Sequence, residues 1–177
     1  AEAGLRVCDV EELTTHGGSL RVYGCHEDDP RATSSNVNRV LESEVLSGLR
    51  KLATYEEFQV RADKIKDDLL LFLLKQKSLG KVVVAYGAAA KGNTLLNYAG
   101  VKPDLLRFVC DAGTAKQGKY MPGSHVPILS PGELDDSKAD YVLILPWNIA
   151  KEVTEQLENA GINDVQYVTA VPHLNIK

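Results

Sequence analysis

The sequence predicts an α/β protein that ends in a small, doubly wound parallel sheet of about four strands, preceded by a β-hairpin and two helices. From residue 81 onward, short β-branched runs alternate with helical patterns, as in parallel strands joined by right-handed crossovers. The first run, Val82 to Ala85, is followed at once by Gly87. Two other strand patterns, Leu5 to Val10 and Ser19 to Cys25, open the chain and predict the hairpin.

The composition is that of an ordinary globular protein. The 177 residues are 44% hydrophobic and 25% charged, which fits one domain, or one domain with an appended piece. The net charge of −4 and the lack of a Lys/Arg cluster argue against a nucleic-acid partner. The longest apolar run, Leu69 to Leu74, is too short to cross a bilayer, so no membrane partner is expected.

The cysteines and the first residues of the chain indicate the cellular compartment in which the protein is expected. Cys8, Cys25 and Cys110 are odd in number and widely spaced, which is typical of reduced thiols in the cytoplasm. No CxxC pair is present, so we expect no metal site within the chain. The chain shows no signal-peptide pattern and no initiating Met. We therefore expect a cytoplasmic protein whose beginning was cut by processing or by division of a longer chain.

Residues 1–35 are predicted to form the hairpin strands and a polar linker. Between the strands, Gly17 and Gly18 permit a turn with positive φ and leave space beside His16. His16 is either a proton shuttle or ligand contact, or an ordinary surface histidine.

Residues 36–80 are predicted to form a helical segment of two helices, because apolar residues recur there at helical spacing. The second helix is predicted to begin at Thr54, with Glu57 completing a capping box. It is predicted to end at Gly80, a residue suited to the left-handed conformation that closes many helices. Its length would let it pack against another domain as well as this one.

Residues 81–177 are predicted to form a Rossmann-like, ligand-binding domain. Its later strands are predicted at Leu105–Cys110, Tyr141–Leu145 and Val165–Val171. Ser130 and Pro131 are predicted to open a short helix, and Asn148 to cap a helix that runs to about Ala160. Residues 112–127 form a long loop containing Gly and Pro, and loops of that length inside a compact domain are more often functional than incidental.

Ligands of open α/β sheets bind outside the carboxyl ends of the strands. Three stretches are predicted to lie there: Tyr86 to Thr94, Asp111 to Gly123, and Pro146 to Asn148. The first combines a strand, a loop of small side chains and a helix N-terminus. That combination binds anions, because backbone N–H groups and the positive end of the helix dipole point at the ligand. The alternative is an unoccupied tight turn.

Two nucleotide-binding motifs fail in the first stretch. The segment Gly87 to Thr94 resembles a P-loop, but Asn93 stands where the phosphate-binding Lys should be, and Lys91 lies two places earlier. This excludes a nucleoside triphosphatase. The GxGxxG fingerprint is also broken, because Ala89 replaces its second Gly. A small nicotinamide-dependent oxidoreductase is therefore disfavoured.

Three further residues each have two interpretations. Asp111 follows the glycine turn at the distance of a ribose-binding acid, or it is a helix cap or turn residue. Lys116 contacts a phosphate or a sugar, or lies in a solvated loop. Trp147, the only tryptophan, stacks on a base or sugar, or is a plain core aromatic.

Four phrases, taken in order, resemble one family. They are THGGSLRVYG (Thr15 to Gly24), YGAAAKGNTLLNY (Tyr86 to Tyr98), DAGTAKQGKYMPGSHVPI (Asp111 to Ile128) and ILPWNIAKEV (Ile144 to Val153). Together they resemble the C-terminal module of S-adenosylmethionine-dependent sugar C-methyltransferases, which act on nucleotide-linked keto-deoxysugars. The resemblance spans nearly the whole chain.

The resemblance implies a three-part enzyme in which the chain is the last part. A zinc-binding piece and an S-adenosylmethionine-binding domain would precede it, so zinc and the cofactor belong to the full-length enzyme and not to these residues. A general base would enolise the 4-keto sugar at C3, and the enolate carbon would attack the methyl group. The family's proposed His base lies upstream of these residues, so the chain alone is predicted to be inactive.

The resemblance also implies partners: a nucleotide-diphosphate sugar and the upstream domains of the same polypeptide. Residues Tyr86 to Thr94 and the Asp111 loop would hold the sugar nucleotide, and His16 to Arg21 would border the sugar. No catalytic residue and no metal ligand is predicted in this chain. The predicted substrate-binding residues are His16, Gly17, Gly18, Arg21, Tyr86, Gly87, Ala88, Lys91, Gly92, Asn93, Thr94, Asp111, Lys116, Trp147 and Asn148. The alternative function is a free-standing Rossmann-like regulatory module that binds a nucleotide or coenzyme without catalysis.

Overall fold

The computed structural model describes residues 3–15 and 18–177. Within it the chain divides into two compact units, Ala1–Val60 and Arg61–Lys177. The three-part division at residues 35 and 80 stays a prediction.

The N-terminal unit contains the predicted β-hairpin. Strands β1 (Leu5–Leu13) and β2 (Ser19–His26) pair antiparallel, and both are longer than the sequence patterns indicate. The pairing register shifts between Val7 and Asp9, which leaves one extra residue, Cys8, in β1. Cys8 and Cys25 are both buried as free thiols.

Helix α1 (Ser35–Leu46) follows the hairpin in the same unit. Its N-cap is Ser34, whose side-chain oxygen accepts a hydrogen bond from the Asn36 backbone N–H at 3.1 Å. The Asn36 side chain donates to Asp9 of β1 at 3.2 Å. None of the residues of α1 is fully buried, so the helix lies on the hairpin without forming a closed core.

Helix α2 (Leu52–Ser78) spans the division between the units. The predicted start at Thr54 is wrong: the helix begins two residues earlier, at Leu52, and the Thr54 hydroxyl donates to Gly48 O at 2.8 Å. The predicted end at Gly80 is confirmed. Gly80 has φ +69°, and the N–H of Lys81 donates to Gln76 O at 2.9 Å, which closes the last turn.

The C-terminal unit contains a sheet of six strands in the order β5-β4-β3-β6-β7-β8. Its strands are β3 (Val83–Tyr86), β4 (Val109–Cys110), β5 (Ile128–Leu129), β6 (Tyr141–Ile144), β7 (Gln166–Thr169) and β8 (Asn175–Ile176). All neighbours pair parallel except β7 and β8, which pair antiparallel. The fold class is confirmed, with two more strands than predicted, because β5 and β8 have only two residues each and show no periodicity.

The helices of this unit are α3 (Ala90–Tyr98), α4 (Glu133–Asp136) and α5 (Ala150–Asn159). Asn148 does not cap α5, contrary to prediction. It lies in a 3-10 turn, Trp147–Ile149, and α5 begins after it without a side-chain cap. Strand β4 is shorter than predicted because hydrogen bonds from Leu105 and Leu106 to Lys102 O form a turn before it.

Two hydrophobic clusters cover the faces of the sheet. On one face, Leu69 and Leu73 of α2 and Leu96 of α3 pack against strand residues such as Ala85 and Leu143. The other cluster includes alternate strand residues together with Val153 and Leu157 of α5. Because successive residues of each strand point to opposite faces, buried strands such as Val83–Tyr86 are apolar throughout.

Helix α3 packs directly on the end of β6. A Cβ atom at Gly92 would lie 2.5 Å from the Cβ of Leu145, a separation that real Cβ atoms do not show. The absence of a side chain at Gly92 therefore sets the distance between the helix and the strand end.

Among the described residues, no helix combines the length and the apolar character that a membrane crossing requires.

Leu73→Ala is expected to destabilise the protein by about 2–5 kcal/mol, because Leu73 is fully buried between α2 and the sheet. Leu71, two residues away on the same helix, is 66% exposed, and Leu71→Ala is expected to change stability by less than about 0.5 kcal/mol. Urea unfolding followed by circular dichroism measures both. Equal losses would contradict the packing of α2 through Leu73.

Gly92→Ala is expected to destabilise the protein although alanine favours a helix by about 1 kcal/mol over glycine. The added Cβ would meet Leu145 at 2.5 Å, and overpacking of this kind costs about 1–3 kcal/mol. Gly132→Ala is the control, since its nearest atom, Ser130 Oγ, would lie 3.8 Å away. Unfolding midpoints in urea compare the two variants, and a stabilised Gly92→Ala protein would show that α3 can move away from β6.

Candidate functional site

The candidate site lies where the connections of the sheet change direction. From β3 the chain moves through β4 to β5, and it then returns to β6 on the other side of β3 and continues to β7. In open parallel sheets the ligand crevice is found at this switch point, outside the carboxyl ends of the two central strands. Here the loops Gly87–Ala89 and Pro146–Asn148 border it. We call this place the switch-point crevice.

Gly87 allows the two loops to approach closely. Its φ is +90°, and a Cβ atom there would lie 2.5 Å from Cδ of Pro146. Its backbone N–H donates to Cys110 O at 2.7 Å, which continues the pairing of β3 with β4. Any residue other than glycine would strain the backbone and collide with the proline ring.

The Asp111 carboxylate holds the loop Gly87–Ala89, which we call the glycine loop, in place. It is 8% exposed and follows β4 directly. Its Oδ2 accepts from the Ala88 backbone N–H at 2.7 Å, and its Oδ1 accepts from the Gly113 N–H at 2.8 Å. Lys116 Nζ also donates to Oδ2, at 3.0 Å. Three donors thus occupy most of the acceptor capacity of this carboxylate.

Lys116 links the long loop, residues 112–127, to the glycine loop through hydrogen bonds. Besides Asp111, its Nζ contacts the backbone oxygen of Ala88 at 3.0 Å. The Gln117 side chain donates to Asp111 O at 2.9 Å and adds a second link. No sequence pattern indicates this role of Gln117, because its partner is a backbone carbonyl at a strand end.

The N-terminus of α3 opens at the same crevice. Its N-cap, Ala89, supplies no side-chain cap. Lys91 Nζ lies 3.4 Å from Oδ1 of Asn148 in the opposite loop, which brings these two predicted site residues together. Within the described part of the chain, Asn93 Oδ1 is buried without a hydrogen-bond partner. A buried acceptor of this kind costs about 1–3 kcal/mol, and a donor group of a ligand would satisfy it.

The other predicted site residues of this unit have clear positions. The Thr94 hydroxyl donates to Ala90 O within α3 at 3.1 Å. Tyr86 is 5% exposed, and its hydroxyl accepts from Gln156 of α5 at 3.4 Å. Burial raises the pKa of Tyr86, and the negative charge of Asp111 raises it further, so the hydroxyl keeps its proton. Trp147 is half-buried and packs against the core cluster that contains Leu145.

Two of the predicted residues of the N-terminal unit are described: Gly18 comes directly before β2, and Arg21 lies on β2. Gly18 has φ +116°, and its N–H donates to Thr15 O at 3.0 Å. Arg21 forms an ion pair with Glu11 on the neighbouring strand at 2.9 Å. His16 and Gly17 lie outside the described residues. The substrate-binding role of each residue predicted from the sequence stays a prediction.

Three or more His, Cys, Asp or Glu side chains do not come together as possible metal ligands anywhere in residues 3–15 and 18–177.

The crevice therefore offers a cationic side chain, an uncapped helix N-terminus and a loop that approaches closely, all at one strand edge. This arrangement is suited to holding an anionic group.

One solved structure overlaps part of this fold. The crystal structure of UDP-D-quinovosamine 4-dehydrogenase from Vibrio fischeri has 16% sequence identity and a TM-score of 0.39. The overlap covers 55% of this chain and 93% of that chain.

The sequence comparisons concern nearly the whole chain. The C-methyltransferase NovU of Streptomyces niveus is 34% identical over 173 residues, which cover 96% of this chain and 40% of that protein. The chain thus spans less than half the length of this relative. The model of the C-methyltransferase C-terminal domain matches residues 14–172, and the chain belongs to that family.

Proposed function

We propose that the chain holds the substrate of an S-adenosylmethionine-dependent C-methyltransferase, and that this substrate is a nucleotide-linked keto-deoxysugar. In this proposal the switch-point crevice binds the diphosphate. The observation that carries it is the anion-binding arrangement at the switch point, where α3 opens without a side-chain cap beside Lys91.

The crevice does not fit a dinucleotide held in the usual way. In such folds an acid at the end of the second strand binds the ribose hydroxyls. Asp111 has that position, but its carboxylate already accepts from Ala88, Gly113 and Lys116. We therefore assign it to positioning the glycine loop. The same argument opposes binding of S-adenosylmethionine through its ribose in this crevice.

The chain's own residues orient the substrate and perform no proton transfer in this proposal. Gly87 lets the diphosphate approach the backbone, Lys91 offsets its charge, and Asp111 with Lys116 keeps the loop in shape. S-adenosylmethionine, held by the preceding part of the full-length enzyme, supplies the methyl group. In this proposal zinc, like the cofactor, belongs to the preceding part of the full-length enzyme.

Calorimetric titration of the chain with thymidine diphosphate glucose is expected to show binding, and titration with NAD or S-adenosylmethionine is not. Lys91→Ala should weaken the sugar nucleotide about tenfold or more, because a hydrogen bond to a charged group is worth about 1.5–3 kcal/mol. Lys75→Ala, an exposed lysine of α2, is the matched control and should bind normally. Binding of NAD alone would favour an oxidoreductase, and tight binding of S-adenosylmethionine would place the cofactor in this chain.

Asp111→Asn is expected to destabilise the chain by about 1–3 kcal/mol, because it leaves Lys116 without its carboxylate and presents an N–H₂ group to backbone donors. Asp164→Asn, at an exposed site, should change stability by less than about 0.5 kcal/mol. Urea unfolding without ligand makes the comparison. Unchanged stability together with lost ligand binding would mean that Asp111 contacts the ligand and does not hold the loop.

A further inference from the structure

A second concavity of the C-terminal unit shares Trp147 with the predicted site and is otherwise lined by residues that were not predicted. It lies between helix α5 and the sheet face formed by β6, β7 and β8, with a volume of about 350 Å³. We call it the α5 cavity. Ile144 and Tyr167 belong to its apolar part, and both are buried. Its volume is at the lower end of the range of about 300–1,000 Å³ for small-molecule sites.

Polar side chains without partners converge on the α5 cavity. Thr154 comes from α5 and Thr169 from the end of β7, and both are half-buried. Asn175 is paired with Thr169 across β7 and β8, so it lines the same face. In the part of the chain that the structure describes, none of these three side chains makes a hydrogen bond. An apolar cavity with a few convergent polar groups is the usual form of a ligand site.

The charged side chains of the α5 cavity give it no net positive charge that would attract an anion. Lys151 and Lys177 line it together with Glu155 and Glu158, so the formal charges cancel. Lys151 Nζ lies 3.8 Å from Glu155, and both side chains are largely exposed at the rim. A diphosphate would be repelled by the glutamates without a surplus of lysines to attract it. The chemistry fits a neutral ligand with several hydrogen-bonding groups.

The walls of the cavity favour a sugar ring over a nucleobase. Trp147 lines it and offers an aromatic surface for the C–H groups of a sugar. Hydroxyl and carboxylate groups reach the cavity from α5, and a further hydroxyl reaches it from the sheet on the other side. A sugar ring can use hydrogen-bonding groups on several sides. A nucleobase has such groups only around its edge and needs apolar surfaces on both faces. Trp147 is followed directly by Asn148, which contacts Lys91 of the switch-point crevice. The α5 cavity and the crevice are therefore joined by this turn.

We propose that the α5 cavity binds the sugar ring, with Trp147 against its C–H groups and with Thr154, Thr169 and Glu155 hydrogen-bonded to its oxygens. This inference rests on the proposed function, since it places the sugar of the same ligand whose diphosphate lies in the crevice. None of the three hydrogen-bonding residues lies in a recognisable motif, because two helix positions and one strand position come together only in the folded chain.

The test compares thymidine diphosphate glucose with thymidine diphosphate, by calorimetry on the whole chain. The sugar nucleotide is expected to bind about tenfold more tightly, in line with one or two added hydrogen bonds. Thr169→Val and Glu155→Gln should each reduce that ratio several-fold and leave the affinity for thymidine diphosphate unchanged. Glu155 is exposed, so its variant tests the cavity even if Thr169→Val folds poorly. Glu152→Gln, on the same helix but outside the cavity, is the matched control.

Trp147 is the only tryptophan, so its fluorescence gives an independent signal. It should change on binding of the sugar nucleotide much more than on binding of thymidine diphosphate. If thymidine diphosphate binds but the sugar adds no affinity, or if the variants leave the ratio intact, the inference is overturned and the proposed function stands. If neither ligand binds the unaltered chain, the proposed function fails and the inference fails with it.

Discussion

The close contact of α3 and its preceding loop with the end of β6 is the constraint on which the candidate site depends. Both contacts are made by glycines: a Cβ atom at Gly87 would meet Pro146, and one at Gly92 would meet Leu145, each at 2.5 Å. With these side chains absent, the helix N-terminus and the loop after β6 border one crevice. The distance between Lys91 and Asn148 follows from this packing. The shape of the site thus depends on how closely the backbone at Gly87 and Gly92 approaches Pro146 and Leu145.

The buried carboxylate of Asp111 lies next to that contact and needs hydrogen-bond donors. The donors that it finds determine whether it is available to a ligand. Asp111 is largely removed from water, so its carboxylate needs donors from the protein, and the loss of one of them would be costly. The loop supplies two backbone N–H groups and the Lys116 ammonium. A carboxylate used in this way stabilises the shape of the loop, and it has little capacity left for the hydroxyls of a ribose. The strand order of a doubly wound sheet is therefore present here, while the acid at the end of the second strand is engaged within the protein.

The sequence predicts this fold well where the physical signal is local. The apolar run before Gly87 and the left-handed Gly80 each depend on one stretch of chain, and both are found as expected. The predicted start at Thr54 fails because α2 already begins at Leu52, and exact helix ends are the least specified part of a periodic pattern. Strand β8 escapes notice because two residues show no alternation. The partners of Asp111 depend on the folded chain, so the sequence could indicate Asp111 but not the groups that it contacts. Thr154 and Thr169 line one cavity only in the folded chain, and no sequence pattern pointed to either.

The two concavities differ in charge in a way that fits one extended ligand. At the crevice, a helix N-terminus and Lys91 provide positive potential, which stabilises phosphates over a short range and is screened by salt. At the α5 cavity, lysines and glutamates balance, so an anion gains nothing there, and a neutral polyol can use the unpaired hydroxyls. Because the turn at Trp147 and Asn148 borders both, a ligand that fills them is oriented by two separate interactions. In the proposed function that orientation matters, since the positions of the reacting atoms govern the rate of the methyl transfer.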